Sequence, residues 1–423
     1  MPISKETFKQ IFRDHWPFFK ERHRRYDTPY YETVIQKMLN CGDPETMGYM
    51  QYRCTRCGET RRIGFTCKSC FCLSCAKGYT DRWVDFIGRR LLPGVTYRHI
   101  VLTVPESLHR FFYRNPTLLS PFMQAGHACI QEVFSRCAGV DLDIGTIIVL
   151  QTAGRPGQYN PHLHCLVTGG GLTPDEAWKA LSYIPFDLIH RKWQYHLLTM
   201  LRQHLAGTAI NQAIDRAWKK YPKGFVAFVE KGSVPAAPQG LAQYLAKYLV
   251  SPPISIHRIQ SYDGQTVRYW YRDHRTERIQ RETLPVDLFI GRMVQHILPK
   301  GFQRIRYYGL HAHVRYATTR KFLQVRLPID TPPDPRGFRI LPRKLFADLF
   351  QESFGKNPLL CPRCDEPMTL ESICFSDGSF KDFLIGTPRE IPHESIDPSP
   401  DRSPQRGSVD RSQRMVQLPL PFL

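Results

Sequence analysis

Two histidines two residues apart, His162 and His164, could bind one metal ion together. The segment around them is typical of a β-strand, and residues two apart on a strand leave the same face. Leu163 and the apolar residues that alternate with the histidines take the other face, where helices can cover them. The same spacing recurs at His311 and His313, so the pair indicates a site only together with a second chemical group.

Two tyrosines four residues apart, Tyr244 and Tyr248, supply candidate nucleophiles. They lie in a helix-like run that ends at Pro252, and the four-residue spacing puts them on one helical face. On another interpretation they are half-buried tyrosines that pack a core. A phenol, with a reference pKa of about 10, attacks a phosphodiester only if the phosphate is activated. A metal ion supplies that activation, and Lys247 could hold the phosphate or favour the phenolate.

The two histidines need an oxygen ligand to complete a divalent site. Gln151 ends a strand predicted for residues 146–151, and its amide could reach the histidines across a sheet. Two imidazoles and one oxygen predict Mg2+ or Mn2+. Attack by a tyrosine stores the broken bond as a phosphotyrosine, so a later hydroxyl can reseal the strand without ATP. Two tyrosines permit two such covalent ends, which favours strand transfer over hydrolysis.

Closely spaced cysteines predict a zinc module between residues 41 and 75. Cys54 and Cys57 are separated by fourteen residues from Cys72 and Cys75, a spacing that lets two tight turns converge on one tetrahedral Zn2+. Three further thiols could serve a second Zn2+ that a histidine completes, or stay without a metal: Cys41, Cys67 and Cys70.

A further pair, Cys361 and Cys364, resembles half of another zinc ribbon. One such pair cannot close a tetrahedral site, so it needs ligands from elsewhere in the chain. The sequence shows no signal peptide and no apolar run long enough to cross a bilayer, which predicts a cytosolic protein. In a reducing cytosol the clustered cysteines are expected to bind metal rather than to form disulfides.

The net charge of +20, from 58 Lys and Arg against 38 Asp and Glu, indicates an anionic partner such as nucleic acid or a membrane surface. Two segments interleave aromatic and basic residues, which suits base stacking beside phosphate contacts on a single strand. On another interpretation both segments are solvated sheet edges. The residues predicted to bind DNA are Arg268, Tyr269, Arg272, Arg304 and Arg306.

Strands predicted at 97–104, 146–151 and 162–168 are mixed with helical patterns, which indicates an α+β layer structure. The tail is rich in proline, serine and charge and cannot build a core. The predicted divisions are a helical arm (1–40), a cysteine-rich zinc-binding domain (41–90), a domain with the histidines and tyrosines (91–255), a basic region that completes the core or binds DNA (256–355), a Cys-x-x-Cys half-ribbon (356–387) and a disordered tail (388–423).

Together these motifs resemble the two-tyrosine HUH transposases of bacterial rolling-circle insertion sequences, which carry a cysteine-rich N-terminal zinc domain. The resemblance covers roughly residues 30–320. It rests on the Cys54–Cys75 pattern, the strand from Val101 to Glu106, the histidine pair followed by Gly169-Gly170-Gly171, the run from Tyr244 to Leu249, and the segments 271–276 and 298–310.

The resemblance implies an antiparallel five-stranded HUH nuclease core, a 5'-phosphotyrosine intermediate, and single-stranded DNA at transposon ends and target as the substrate. It also implies a place at the nucleoid in the bacterial cytoplasm. Some relatives carry only the tyrosine that corresponds to Tyr248, which makes Tyr248 the first candidate. Cys70 departs from the family pattern, where a basic residue is usual. The C-terminal segment Gln417–Phe422 looks like a sliding-clamp-binding peptide.

Other protein classes share parts of this pattern. A rolling-circle replication initiator or a conjugative relaxase would use the same cleavage chemistry, and the zinc module favours transposition over both. A zinc-dependent DNA-binding regulator would not need the tyrosines. A zinc hydrolase that uses His162 and His164 would leave free DNA ends and no covalent adduct.

Overall fold

The computed structural model of this 423-residue chain describes residues 3–75, 86–88, 90–229, 252–273, 276–326, 357 and 359–383. These residues form two compact units. The first unit takes the described residues within 1–39 and 69–345, and the second takes those within 40–68 and 346–423. The second unit therefore combines residues that the sequence divides between the zinc-binding domain and the half-ribbon.

Helices and strands are mixed along the chain. The described helices are α1 (Lys5–Arg22), α2 (Pro29–Leu39), α3 (Pro44–Met47), α4 (Glu106–Arg114), α5 (Leu119–Ala138), α6 (Phe186–His204), α7 (Thr208–Lys220), α8 (Val286–Val294) and α9 (His313–Arg326). The described strands are β1 (Gly48–Cys54), β2 (Thr60–Gly64), β3 (Tyr97–Thr103), β4 (Asp143–Ala153), β5 (Tyr159–Leu172), β6 (Trp178–Ala180), β7 (Ala227–Val229), β8 (Ile259–Tyr262), β9 (Thr266–Arg272), β10 (Ile279–Pro285), β11 (Ile305–Gly309), β12 (Met368–Phe375) and β13 (Phe380–Asp382). None of these helices combines the length and the apolar character that crossing a bilayer requires.

A six-stranded antiparallel sheet forms the centre of the first unit: five described strands follow the order β11-β4-β5-β3-β7, and the short β6 pairs with β5. Three of its strands, β3, β4 and β5, lie where the sequence pattern predicts them. Because β5 runs between β4 and β3, both of its edges are hydrogen-bonded to neighbours. The α+β class and the antiparallel central sheet are confirmed.

The helices α5 and α6 cover one face of this sheet. Leu163, Cys165 and Val167 of β5 are completely buried there, in one core with Phe122 of α5 and Trp193 of α6. A large apolar side chain contributes about 1.5–3 kcal/mol when it is removed from water. Since side chains alternate along a strand, the residues between these three point away from the helices.

A smaller antiparallel sheet in the same unit has the order β10-β9-β8. Val267 and Tyr269 of β9 are buried, and Tyr269 packs on Phe289 of α8. Arg268 and Arg272 are exposed on the opposite face. This sheet therefore has one apolar face against α8 and one basic face toward solvent.

The second unit contains a four-stranded antiparallel sheet in the order β13-β12-β1-β2. β1 pairs with β12 along its length, from Gly48 opposite Phe375 to Cys54 opposite Met368. Gly48 has a φ of +80°, and a Cβ there would lie 2.5 Å from the carbonyl oxygen of Cys374, so the close approach requires glycine. Residues from both ends of the sequence are needed to build this sheet.

We expect Leu163→Ala to lower the free energy of unfolding by about 2–5 kcal/mol, because it leaves a cavity under α5 and α6. The measurement is urea denaturation followed by far-ultraviolet circular dichroism. Leu288→Ala is the matched control: Leu288 on α8 is 58% exposed, and its truncation should change stability by no more than about 0.5 kcal/mol. Equal effects of the two substitutions would contradict the assignment of the buried face.

Candidate active site and cysteine cluster

His162 and His164 lie on the face of β5 that points away from α5 and α6. The register places Gln151 of β4 opposite His162, with Thr103 of β3 opposite the same histidine on the other side. The two imidazole rings are 5.0 Å apart between centroids. The structure thus brings the histidine pair and Gln151 to one position in the sheet.

A hydrogen bond holds one ring nitrogen of each histidine. Nδ1 of His162 donates to the carbonyl oxygen of Asn160 at 2.8 Å. Nδ1 of His164 lies 3.0 Å from Nε2 of His99, whose ring stacks on it with 5.3 Å between centroids and 7° between planes. In metal sites such bonds to one nitrogen orient the other nitrogen toward the ion. Asn160 and His99 therefore set the orientation of the two rings.

Burial keeps both imidazoles neutral. Loss of water lowers the pKa of His162, and the nearby charge of Arg304 acts in the same direction. Burial lowers the pKa of His164 well below its usual range, and the neighbouring His162 and His99 add to this effect. Neutral imidazole is the form that binds a metal ion, so both rings are in the required state at neutral pH.

The side chain of Gln151, beside the histidines, has an amide nitrogen without a hydrogen bond to any described residue. Its Nε2 is shielded from solvent and has no hydrogen-bond partner among the described residues. A buried polar group left in this state costs about 1–3 kcal/mol. A rotation of the amide by 180° exchanges the positions of Nε2 and Oε1. The side chain can therefore present an oxygen ligand where its unpartnered nitrogen now lies.

The segment that contains the predicted nucleophiles begins and ends within the first unit. The described residues stop after β7, which pairs with β3, and resume at Pro252. Pro252 lines a cavity together with Gln151 and Arg304. Two predictions fall outside the described residues: the nucleophile site (Tyr244, Lys247 and Tyr248) and the C-terminal peptide (Gln417–Phe422).

The structure corrects one predicted DNA contact. Arg268 and Arg272 are exposed on β9, but Tyr269 between them is only 1% exposed, and its hydroxyl lies 2.8 Å from Glu282. Tyr269 cannot stack on a base, because strand alternation turns it toward the interior. Trp270, the next residue along the strand, shares the outer face with the two arginines.

The other two predicted DNA contacts, Arg304 and Arg306, are half-buried at the β11 edge of the central sheet. Nε of Arg304 donates to the carbonyl oxygen of Leu150 at 2.9 Å, next to Gln151 in β4. Nη2 of Arg306 donates to Oγ of Ser120 at 2.5 Å. Arg304 is therefore part of the surroundings of the histidine pair.

Four cysteines of the second unit meet in one cluster. The Sγ atoms of Cys54, Cys57, Cys361 and Cys364 all lie within 4.8 Å of one another, with 3.5 Å from Cys54 to Cys364 and from Cys57 to Cys361. The backbone N–H of Cys57 helps to lower the pKa of the Cys54 thiol to about 7. Thiolates bound to zinc at about 2.3 Å lie about 3.8 Å apart in a tetrahedron, so the cluster fits Zn2+.

This cluster corrects the pairing expected from spacing. The sequence predicts that Cys54 and Cys57 share an ion with the pair at 72–75, and this is wrong because Cys361 and Cys364 take those positions. The pairing of β1 with β12 brings the two distant Cys-x-x-Cys turns together. The half-ribbon thus obtains the ligands that it lacks by itself.

The other cysteines of the module lie in both units. In the second unit, the N–H of Cys67 donates to Sγ of Cys41 at 3.3 Å. In the first unit, the N–H of Cys75 donates to the carbonyl oxygen of Cys72 at 3.2 Å, in a tight turn. Cys70 is half-buried and packs against an apolar group that includes Val149.

Sequence reasoning did not identify His99 as a functional candidate. Alternation along β3 puts His99 on the same face as Thr103, which lies opposite His162, so the strand pattern contained part of the signal. The stacking of His99 on His164 depends on the register between β3 and β5, which the sequence alone does not specify.

We expect Cys361→Ala to reduce the bound zinc by one ion per chain, because it removes a ligand of the four-cysteine cluster. The metal is measured by mass spectrometry of the purified full chain after dialysis against a mild chelator. Cys374→Ala is the control, since Cys374 lies in β12 outside the cluster. This variant should bind as much zinc as the wild type. Full zinc content in Cys361→Ala would rule out the cluster as a zinc site.

Known proteins resemble this chain along most of its length. A family model described as "Putative transposase" matches residues 145–318, and one described as "Transposase zinc-binding domain" matches residues 11–104. The chain is 30% identical over 353 residues to "Transposase for insertion sequence element IS801" of Pseudomonas savastanoi pv. phaseolicola, covering 79% of this chain and 82% of that protein. It is 27% identical over 410 residues to "Putative transposase y4qJ" of Sinorhizobium fredii, covering 92% of this chain and 99% of that protein. No solved structure matches the chain. The chain therefore belongs to the transposases of bacterial rolling-circle insertion sequences that carry a zinc-binding domain.

Proposed function

We propose that this transposase cleaves and transfers single DNA strands through a 5'-phosphotyrosine intermediate. The observation that carries the proposal is the register of the central sheet, in which His162, His164 and Gln151 share one face beside a cavity lined by arginines. Attack by a protein side chain, rather than by water, conserves a bond from which the strand can be rejoined. This is the requirement of transposition.

Mg2+ or Mn2+ is the proposed ion, held by His162, His164 and the amide oxygen of Gln151. Two neutral imidazoles and one oxygen form a donor set that Mn2+ accepts readily and that leaves positions for phosphate oxygens. Nε2 of Gln151 has no hydrogen-bond partner among the described residues, so no such bond opposes the rotation that would turn the amide oxygen to the ion. A divalent ion bound there supplies electrophilic activation of the scissile phosphate.

Tyr248 is the proposed nucleophile, and Tyr244 is the second. Pro252 and Pro253 line the cavity that contains Gln151. Tyr248 lies four residues before Pro252, and four residues of chain reach at most about 14 Å. The chain length thus keeps Tyr248 within about 14 Å of Pro252, which lines this cavity, and this supports Tyr248 as the nucleophile.

In the proposed reaction the Tyr248 oxygen forms a bond to phosphorus while the bond from phosphorus to the 3'-oxygen breaks. The phenol loses its proton to solvent or a base, and the departing 3'-oxygen gains one. A 3'-hydroxyl of another strand later attacks the phosphotyrosine and releases the phenol, so no external energy source is needed. Lys247 is proposed to hold the phosphate during both steps.

The outer face of β9 and β10 is proposed to hold the single strand. It carries Arg268, Trp270 and Arg272 of β9, and Arg281 of β10 lies directly opposite Trp270. Arginines can contact the phosphates while the indole stacks on a base. Trp270 thus replaces Tyr269 as the stacking residue in our proposal.

Two further proposals rest on the sequence. The predicted zinc-module cysteines outside the four-cysteine cluster, Cys41, Cys67, Cys72 and Cys75, remain proposed zinc ligands. Gln417–Phe422 is proposed to bind the sliding clamp, which would hold the transposase near replicating DNA in the nucleoid.

We expect the wild-type chain to form a covalent adduct with single strands that span the ends of its element, when Mn2+ is present. Tyr248→Phe should lose the adduct, because it lacks the attacking oxygen, and Tyr195→Phe should retain it, because Tyr195 is 52% exposed on α6. The assay is a denaturing gel of 3'-labelled DNA. Free cleaved ends without an adduct would indicate a hydrolase, and an unaffected Tyr248→Phe would exclude this nucleophile.

We expect His162→Ala to abolish the adduct at ordinary Mn2+ concentrations, because an ion ligand is lost. His99→Ala should keep the adduct but raise the Mn2+ concentration for half-maximal formation by roughly 10–100-fold, as loss of a supporting group does. The measurement is a Mn2+ titration of adduct yield. His204→Ala, at the exposed end of α6, is the control and should behave as the wild type. A normal titration with His162→Ala would exclude the histidine pair as the metal site.

A further inference from the structure

A cavity of about 510 Å³ opens at Gln151, near the end of β4. Gln151, which lies opposite His162 in the sheet, forms part of its wall together with Arg304. Its other walls come from α2, from the turn between β4 and β5, and from the segment that connects α8 to β11. Pockets for small ligands commonly measure about 300–1,000 Å³, so the cavity has room for one nucleotide.

The cavity is positively charged. Arg155, Arg258 and Arg304 line it, and its described lining contains no aspartate or glutamate. Nε of Arg258 donates to the carbonyl oxygen of Trp270 at 2.8 Å, and Nε of Arg304 donates to that of Leu150 at 2.9 Å. These bonds position the guanidinium groups and leave further N–H donors on each, which suit a phosphate.

The same walls carry groups that suit a nucleic-acid base. Tyr30 of α2 and Phe302, which follows α8, are aromatic residues of the cavity wall. Stacking of a base on such rings contributes to binding whatever the sequence. Gln303 adds an amide, which can donate and accept hydrogen bonds as the edges of bases do.

Hydrogen bonds between the walls fix the shape of the cavity. The Tyr30 hydroxyl donates to the carbonyl oxygen of Leu298 at 2.6 Å, which ties α2 to the segment after α8. The Thr152 hydroxyl donates to Nδ1 of His296 at 3.1 Å, and Nε2 of His296 donates to the carbonyl oxygen of Gly157 at 3.0 Å. Burial lowers the pKa of His296 to about 4, so the neutral ring can accept the first of these bonds. A preformed cavity loses less conformational freedom on binding.

We infer that this cavity binds one nucleotide of the single strand, next to the phosphate that is cut. Its base lies against the aromatic rings, and its phosphate lies against the three arginines. The inference rests on the proposed function, since it takes a single DNA strand as the ligand. The cavity is then a positioning subsite, because the nucleotide it holds sets which phosphate reaches His162 and His164.

The test fills the cavity from α2. Val34 lines the cavity, whereas Thr33 beside it is exposed and lies outside the lining. Val34→Trp puts an indole where the base would lie, and Thr33→Trp puts the same side chain into solvent. Binding of a fluorescein-labelled oligothymidine to the full chain is measured by anisotropy, without added Mg2+ or Mn2+. We expect Val34→Trp to weaken binding by about tenfold or more, and Thr33→Trp to change it by less than about twofold.

Two additional measurements separate the base from the phosphate. Wild type and Val34→Trp should differ less in their affinity for an abasic strand of the same length than in their affinity for oligothymidine. Arg155→Gln should lower the slope of the logarithm of affinity against the logarithm of salt concentration by about 0.7, because one phosphate contact is lost. Arg155→Gln also tests the cavity if Val34→Trp does not fold, as judged by circular dichroism.

Equal oligothymidine binding by Val34→Trp and Thr33→Trp, or an unchanged salt slope for Arg155→Gln, would overturn the inference. The result is independent of the tyrosine chemistry, because binding is measured without cleavage. An adduct together with normal binding by Val34→Trp rejects the cavity alone. Weakened binding by Val34→Trp with no adduct from the wild type rejects the tyrosine reaction alone.

Discussion

The alternation of side chains along β5 is the constraint on which the first unit depends. Leu163 and Cys165 are buried under α5 and α6, and this fixes His164 between them on the opposite face. A slip by one residue would exchange the two faces and move both imidazoles into an apolar core, where polar groups without partners are costly. The hydrophobic core and the candidate active site are therefore determined by the same strand register.

The surroundings of the histidine pair combine neutral ligands with fixed positive charge. Burial lowers the pKa of His162 and His164, and Gln151 is uncharged, so the proposed ligands would not neutralise a bound cation. A divalent ion held by such a set keeps its full charge for the DNA phosphate. Arg304 adds a second positive group at the same place, which favours an anionic substrate over competing neutral ones.

Patterns within single strands were sufficient to predict β3, β4 and β5, the shared face of the histidines, and Gln151 as their neighbour. They were insufficient where the partner is distant, since Cys57 and Cys361 are 304 residues apart and a nearer Cys-x-x-Cys pair offered an apparently suitable alternative. They also could not decide which face of β9 is buried. Alternation puts Arg268 and Trp270 on the same face of β9. Only the packing of Tyr269 on Phe289 of α8 shows that this face is the one exposed to solvent.

The pairing of β1 with β12 has a consequence for biosynthesis. Cys57 leaves the ribosome 304 residues before Cys361. At a translation rate of about 5–20 residues per second, the early thiols wait roughly 15–60 s for their partners. A chain that terminates before residue 361 cannot complete this sheet or its thiolate cluster. Truncated products of a damaged message would therefore lack an intact second unit, and assembly of that unit would distinguish chains that were translated beyond β13.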